Sequence, residues 1–192
     1  KGVVLNEGNR RVRDTESKGS NVYRREPYRV RTLSNSAQVT RCAIGNDFHD
    51  KTEELTSLFS KDVITADKYD FVIFNGDMVS SIPSVETLYK GFLDTAVKHF
   101  ASDIPFFFVR GNHDSRGKLA EKFTDYFPAN GKDTYFSFEI GCLNGVALDC
   151  GEDKIDEHQE YGDLNDMEHY TAEQYVWFYN CGGFSDDSKY RI

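Results

Sequence analysis

Seven side chains in three short segments could do chemistry together: Asp47 and His49 in Asp47-Phe-His49, Asp77 in Gly76-Asp77, and Asn112, His113, Asp114 and Arg116 in Gly111-Asn-His-Asp-Ser-Arg116. Two carboxylates and an imidazole are oxygen and nitrogen donors suited to Zn²⁺ or another divalent transition metal. Asn112 adds a neutral oxygen where a further charge would over-neutralise the cation. The neighbouring glycines, Gly45, Gly76 and Gly111, let backbone and ligand approach closely. Taken singly, each segment is ordinary turn chemistry, since Gly-Asp is a common turn dipeptide and Asp-x-His after a strand is more often a turn than a ligand set. Order and register argue for the joint reading. Asp47 to Asp77 is 30 residues and Asp77 to Asn112 is 35, about one βα unit each.

The elements that would position these groups follow from hydrophobic periodicity. Val39 to Ile44 reads as a strand ending at Asp47-Phe-His49, and Thr52 to Ser60 as a helix that Thr52 can cap, with a Leu55, Leu58, Phe59 stripe. Phe71-Val-Ile-Phe74 is four consecutive apolar residues, as a strand covered on both faces requires. Ser84 to Phe100 reads as the crossover helix and Pro105 to Val109 as the third strand, so three strands deliver three polar ends to one sheet edge. Beyond them the pattern predicts a helix over Arg116 to Phe127 and an antiparallel pair over Tyr135 to Ile140 and Leu143 to Asp149. A solvated acidic loop over 151–170, a short helix over Thr171 to Tyr179 and the start of a strand at Tyr190-Arg-Ile192 complete the reading. Residues 1–36 do not fit the βα alternation. Val3-Val-Leu5, Tyr23 and Tyr28 to Arg31 suit strands of a small β module, with Ser34-Asn-Ser36 as its linker.

In this order and spacing, Asp47-Phe-His49, Gly76-Asp77 and Val109-Arg-Gly-Asn-His-Asp-Ser-Arg-Gly117 resemble the calcineurin-like metallophosphoesterase family, which includes purple acid phosphatases. The resemblance runs from about residue 40 to the end of the chain. It implies an α/β fold with a metallophosphatase-type sheet of mostly parallel strands and flanking helices, half of an αββα sandwich, over residues 37–192. It also implies two divalent ions (Fe, Mn or Zn), with Asp47 and His49 on the first, Asp77 bridging, and Asn112 on the second. The implied activity is hydrolysis of phosphate mono- or diesters by a metal-bound hydroxide, the substrate being a phosphate-ester small molecule or a phosphorylated partner. His113 would then protonate the leaving group, Asp114 would hold that imidazole, and Arg116, with Arg110 as the weaker candidate, would contact a phosphate oxygen. Met78-Val-Ser80 departs from the protein Ser/Thr phosphatase and purple acid phosphatase patterns, and the later His and Gly-His-x-His of the family do not appear in these residues. The expectation is therefore a site with weak affinity for a single cation and little or no turnover. The alternative is a non-catalytic metal-binding or interaction domain on the same fold.

Composition narrows the partners. Of 192 residues, 39% are apolar and the net charge is −9. Residues 32–192 carry 28 Asp/Glu against 14 Lys/Arg, a balance that repels a phosphate backbone and disfavours a general nucleic-acid binder. No apolar stretch approaches the about 20 residues of a membrane helix. Cys42, Cys142, Cys150 and Cys181 show no metal-binding spacing and read as buried, inert thiols, with a disulfide between two of them left open. Asp149-Cys-Gly-Glu-Asp153 reads as a charged turn, although it resembles a loop bordering the site in some relatives, and His99, His158 and His169 lie off the ligand register. Relatives with an N-terminal β module are usually exported, so by resemblance a periplasmic or extracellular location is expected.

Overall fold

The computed structural model describes residues 2–5, 11–14, 33–34, 36–129, 134–180 and 190–192. The chain divides into two units, Lys1–Val30 and Arg31–Ile192. In the first, β1 (Gly2–Leu5) pairs antiparallel with β2 (Arg11–Asp14). The expected strand positions at Tyr23 and Tyr28 to Arg31 lie outside the described residues.

The second unit is built around a parallel sheet of order β3-β4-β5, from β3 (Cys42–Gly45), β4 (Phe71–Asn75) and β5 (Phe106–Val109). Both faces of β4 are covered, which is why Phe71 to Phe74 are all buried. Alternation divides them: Val72 and Phe74 face a cluster with Leu55, Phe92 and Phe100 from the helices, while Phe71 and Ile73 face Phe136, Ile140 and Ala147. Those last residues belong to a second sheet, β6 (Phe136–Ile140) antiparallel to β7 (Leu143–Ala147), with β8 (Tyr190–Arg191) parallel to β7. The layering is helices, parallel sheet, second sheet, the arrangement expected for half of an αββα sandwich. Full burial of a side chain the size of Phe is worth roughly 1.5–3 kcal/mol, so this double-sided burial is what fixes the register of the strand ends.

Helix α1 (Thr52–Phe59) buries Leu55 and Phe59, and its N-cap is Lys51 with no side-chain cap, not Thr52 as expected. The crossover over residues 85–101 is continuous but not uniformly α. It runs as α2 (Val85–Leu88), a π turn (Tyr89–Leu93), α3 (Asp94–Ala96) and a second π turn (Val97–Ala101). Its buried stripe of Leu88, Phe92, Ala96 and Phe100 repeats every four residues. An α-helix of 3.6 residues per turn would rotate that stripe off the sheet, and the wider π turns hold it in place.

Two helices differ from expectation. Arg116 to Phe127 is broken into a 3₁₀ turn at Ala120–Lys122 and α4 (Phe123–Tyr126). The backbone of Gly117 lies against Ile82, and the Ile82 N–H donates to Arg116 O at 2.7 Å, so the segment's first residues are committed to a neighbouring loop instead of to a helix. The last helix, α5 (Met167–Asn180), starts four residues earlier than periodicity indicates. Asp156 accepts the amides of Met167 and Glu168, each at 2.9 Å, a cap supplied from outside the helical window. Cys42, Cys142 and Cys150 are free thiols; the first two are half-buried, whereas Cys150 is exposed, against the expectation of burial. Cys181 lies outside the described residues.

Candidate metal centre

Parallel register sets Gly45 beside Phe74 and Asn75 beside Val109, so the loops that follow the three strands leave from one edge. The first loop lies on the second through three backbone hydrogen bonds: Asp47 N–H to Gly76 O at 3.2 Å, His49 N–H to Asp77 O at 3.0 Å and Asp50 N–H to Met78 O at 3.0 Å. This ladder forces left-handed backbone at residues with side chains, with φ of 59° at Asp47, 46° at His49, 64° at Asp50 and 56° at Asp77. Such conformations cost on the order of 1–3 kcal/mol each and persist only where the surroundings over-determine them. The second and third loops interlock at glycines. A Cβ on Gly76 would lie 2.9 Å from the Gly111 Cα, and one on Gly111 would run into the Asp77 carboxylate.

The result is a compact donor set. One ligand atom from each of His49, Asp77 and His113 falls within 4.8 Å of the others. His49 Nε2 is 3.5 Å from Asp47 Oδ1 and 4.0 Å from Asp77 Oδ2. The His49 and His113 rings meet edge to face at 4.4 Å between centroids. Asp77 Oδ1 also accepts the His113 N–H at 2.9 Å, which ties the second loop to the third. Among the described residues no lysine or arginine pairs with Asp47 or Asp77. Two uncompensated carboxylates around imidazole nitrogens are a donor set that fits a divalent transition metal or Zn²⁺.

Asn112 reaches the same point by an amide that can sit two ways. The orientation favoured by hydrogen bonding has its nitrogen donating to Asp77 Oδ2 at 3.0 Å and its oxygen accepting from Arg116 Nη2 at 3.0 Å. A cation on Asp77 would repel that NH₂ group and favour the orientation with the oxygen turned toward Asp77.

The residues expected to assist are placed differently. Asp114 does not hold the His113 ring. Its side chain is fully buried, and its Oδ2 accepts the amides of Asp77 at 2.7 Å and Gly111 at 3.0 Å. It is a brace between two loops, with burial pushing its pKa up to about 7 against the partial opposition of those amide donors. The His113 ring instead sets Nδ1 3.1 Å from the Ser80 carbonyl and Nε2 3.5 Å from Arg116 Nη1.

Arg116 is held by Glu152, which accepts from Nε at 3.1 and 3.2 Å and from Nη2 at 2.7 Å, with Asp153 adding a contact at 3.2 Å. Burial works to raise the Glu152 carboxyl, but the Arg116 guanidinium and the Ser115 hydroxyl outweigh it and hold the group below its ordinary range. Arg110, the weaker candidate for a phosphate contact, is engaged elsewhere: its Nε lies 2.6 Å from the buried Asp149 carboxylate and its guanidinium sits over the Tyr170 ring. Asp149 in turn is fastened to Gln174 of α5 by two backbone contacts, at 2.7 and 2.9 Å. The stretch Asp149 to Asp153 is thus an anchored strut that meets the third loop on both sides, not a free charged turn.

The sequence reading missed Asp50, Ser80 and Glu152. The Asp that directly follows Asp47-Phe-His49 was the visible signal for the first, and the acidic run after β7 for the last. Although Cys150 is exposed, its thiol is pushed up by partial desolvation and by the charges of Asp149 and Asp77, which leaves it without thiolate character. His158 lies against Tyr161, and His169 pairs with Asp166 and Glu173, so neither approaches the donor set.

A family model described as calcineurin-like phosphoesterase matches residues 40–187. No curated protein matches the chain. Among solved structures, a purple acid phosphatase isolated from yellow lupin (Lupinus luteus) seeds is similar at 16% identity and a TM-score of 0.42, over 68% of this chain. The chain spans 27% of the length of that phosphatase.

Proposed function

The chain belongs to the calcineurin-like phosphoesterase family, and on that premise we propose that it is a metal-dependent phosphoesterase domain whose metal ligands are Asp47, His49, Asp77 and Asn112. The observation that carries the reading is the convergence of His49 and Asp77 with the His113 ring at the carboxyl edge of the parallel sheet. Divalent ions held there would supply Lewis-acid stabilisation of phosphoryl charge and an acidified water.

The chain's own residues do the rest. Asp77 would hold the cation with its carboxylate in one orientation, because Oδ1 accepts the His113 N–H and Oδ2 is left facing His49. In its imidazolium form, with Nδ1–H kept on the Ser80 carbonyl, His113 gives the Nε2 proton to the ester oxygen as the ester P–O bond breaks, so the alcohol leaves neutral while the attacking water bonds to phosphorus and releases its own proton to solvent. Arg116 keeps Nε and Nη2 on Glu152 and offers Nη1 toward the same space as His113 Nε2, where it can meet a phosphoryl oxygen. One feature favours the second reading, a non-catalytic cation-binding domain: Glu152 and Asp153 already occupy much of the Arg116 donor fork.

Hydrolysis of p-nitrophenyl phosphate and of bis(p-nitrophenyl) phosphate, measured with added Mn²⁺ or Zn²⁺ and again with EDTA, separates the two. The enzymatic reading predicts slow, EDTA-sensitive turnover that falls by about 10²-fold or more in His113→Ala while cation affinity stays within a few-fold. Cation binding with no turnover of either ester in the wild-type chain would favour the non-catalytic domain.

A further inference from the structure

The Asp that the sequence places beside His113 is turned away into the fold, yet the His113 ring is held on both nitrogens. Its Nδ1 faces the Ser80 carbonyl at 3.1 Å, and a carbonyl oxygen only accepts, so Nδ1 carries the hydrogen. Its Nε2 faces Arg116 Nη1 at 3.5 Å, and a guanidinium only donates, so Nε2 carries the lone pair. Two independent neighbours therefore dictate the same tautomer. It is the one that a histidine side chain free in water favours less.

The Ser80 carbonyl can dictate it only if residue 80 is itself fixed. The Ser80 N–H donates to Asp50 Oδ2 at 3.0 Å, across 30 residues of sequence. Asp50 is pinned in turn by its own N–H on Met78 O at 3.0 Å and by a left-handed backbone with φ of 64°. Its other carboxylate oxygen, Oδ1, rests over the helix at Gly91, where a Cβ would lie 2.8 Å from it and 2.6 Å from Val79 Cγ1. Gly91 is buried in the first π turn, so the helix leaves there the space that the carboxylate fills.

We propose that Asp50 is a positioning residue for the His113 imidazole, acting through the Ser80 backbone to hold the ring in its Nδ1–H tautomer with Nε2 aimed at the metal centre. The proposal concerns the protein without metal and does not require turnover, so its failure is distinct from failure of the phosphoesterase reading.

The test is long-range ¹H–¹⁵N correlation of the histidine ring nitrogens in the EDTA-treated full chain at pH 8, with His113 assigned by the signals lost in His113→Gln. Wild type is expected to show Nδ1 protonated and Nε2 unprotonated. Asp50→Asn, whose amide oxygen can still accept from Ser80, retains that pattern. Asp50→Ala, and Asp50→Ser, which is too short to reach, shift it toward the Nε2–H form, and Gly91→Ala shifts it the same way by displacing the carboxylate. The proposal is overturned by an Nε2–H ring in wild type, whatever the variants do. It is equally overturned by an unchanged Nδ1–H ring in a folded Asp50→Ala or Asp50→Ser chain.

Discussion

Asp114 carries the largest carboxyl shift toward the neutral form in the described chain, up from an ordinary value of 3.8 to about 7, with burial as the main cause. The folded protein therefore keeps a proton on this group between about pH 4 and pH 7 that the unfolded chain has released. Folding stability attributable to it is present below the unfolded value and lost as pH rises through the folded one, on the order of 4 kcal/mol across the window. An asparagine can still accept the Asp77 and Gly111 amides without titrating. Urea unfolding in EDTA from pH 4 to pH 8 should show the wild type losing stability relative to Asp114→Asn as pH rises, and parallel curves would contradict this account. The sequence carried the identity of this residue but not its direction. Adjacency to His113 suggests a partner for the ring, whereas the fold spends the carboxylate on two backbone amides 3 and 37 residues away. Asp47, His49 and Asp77 were legible because each needs only a strand end and a tight turn to reach the edge. Glu152 was not, because its contact with Arg116 spans 36 residues.

At the scale of elements, the strands were readable and the helix ends were not. Phe71 to Phe74 announce a strand covered on both faces, and the structure uses every one of them, alternately toward the helices and toward the second sheet. The crossover helix was legible in extent, but its π turns show only as the four-residue repeat of Leu88, Phe92, Ala96 and Phe100. Helix α5 illustrates the limit. Met167 and Glu168 begin it because Asp156, 11 and 12 residues upstream, folds back to cap both amides. Substituting Asp156 by Ala should lower stability by about 1 kcal/mol, read as a shift in the urea midpoint at unchanged slope. Asp156→Asn should recover part of the loss, and an Ala variant as stable as wild type would show that the cap contributes nothing. The same helix anchors Asp149 through Gln174. A weakened α5 would therefore reach the Arg116 strut as well as the global fold.

For the whole molecule, the family, the sheet and the motif order agree: residues 40–187 match the calcineurin-like phosphoesterase model, and the three strand ends that carry Asp47, His49, Asp77 and Asn112 leave one edge of a parallel sheet. The acidic balance of the chain, −9 overall, suits cation capture at that edge and also means that nonspecific surface binding must be separated from the site. An isosteric change at the shared ligand makes that separation, since Asp77→Asn removes one charge of many from the surface but the central carboxylate from the donor set. The most direct measurement is isothermal titration of the EDTA-treated chain with Mn²⁺ or Zn²⁺, beside Asp77→Asn under the same conditions. Saturable binding in the wild type, weakened by more than about tenfold in the variant, is the predicted result. Equal affinity in the two chains, or no saturable binding in either, would contradict a metal centre at this edge.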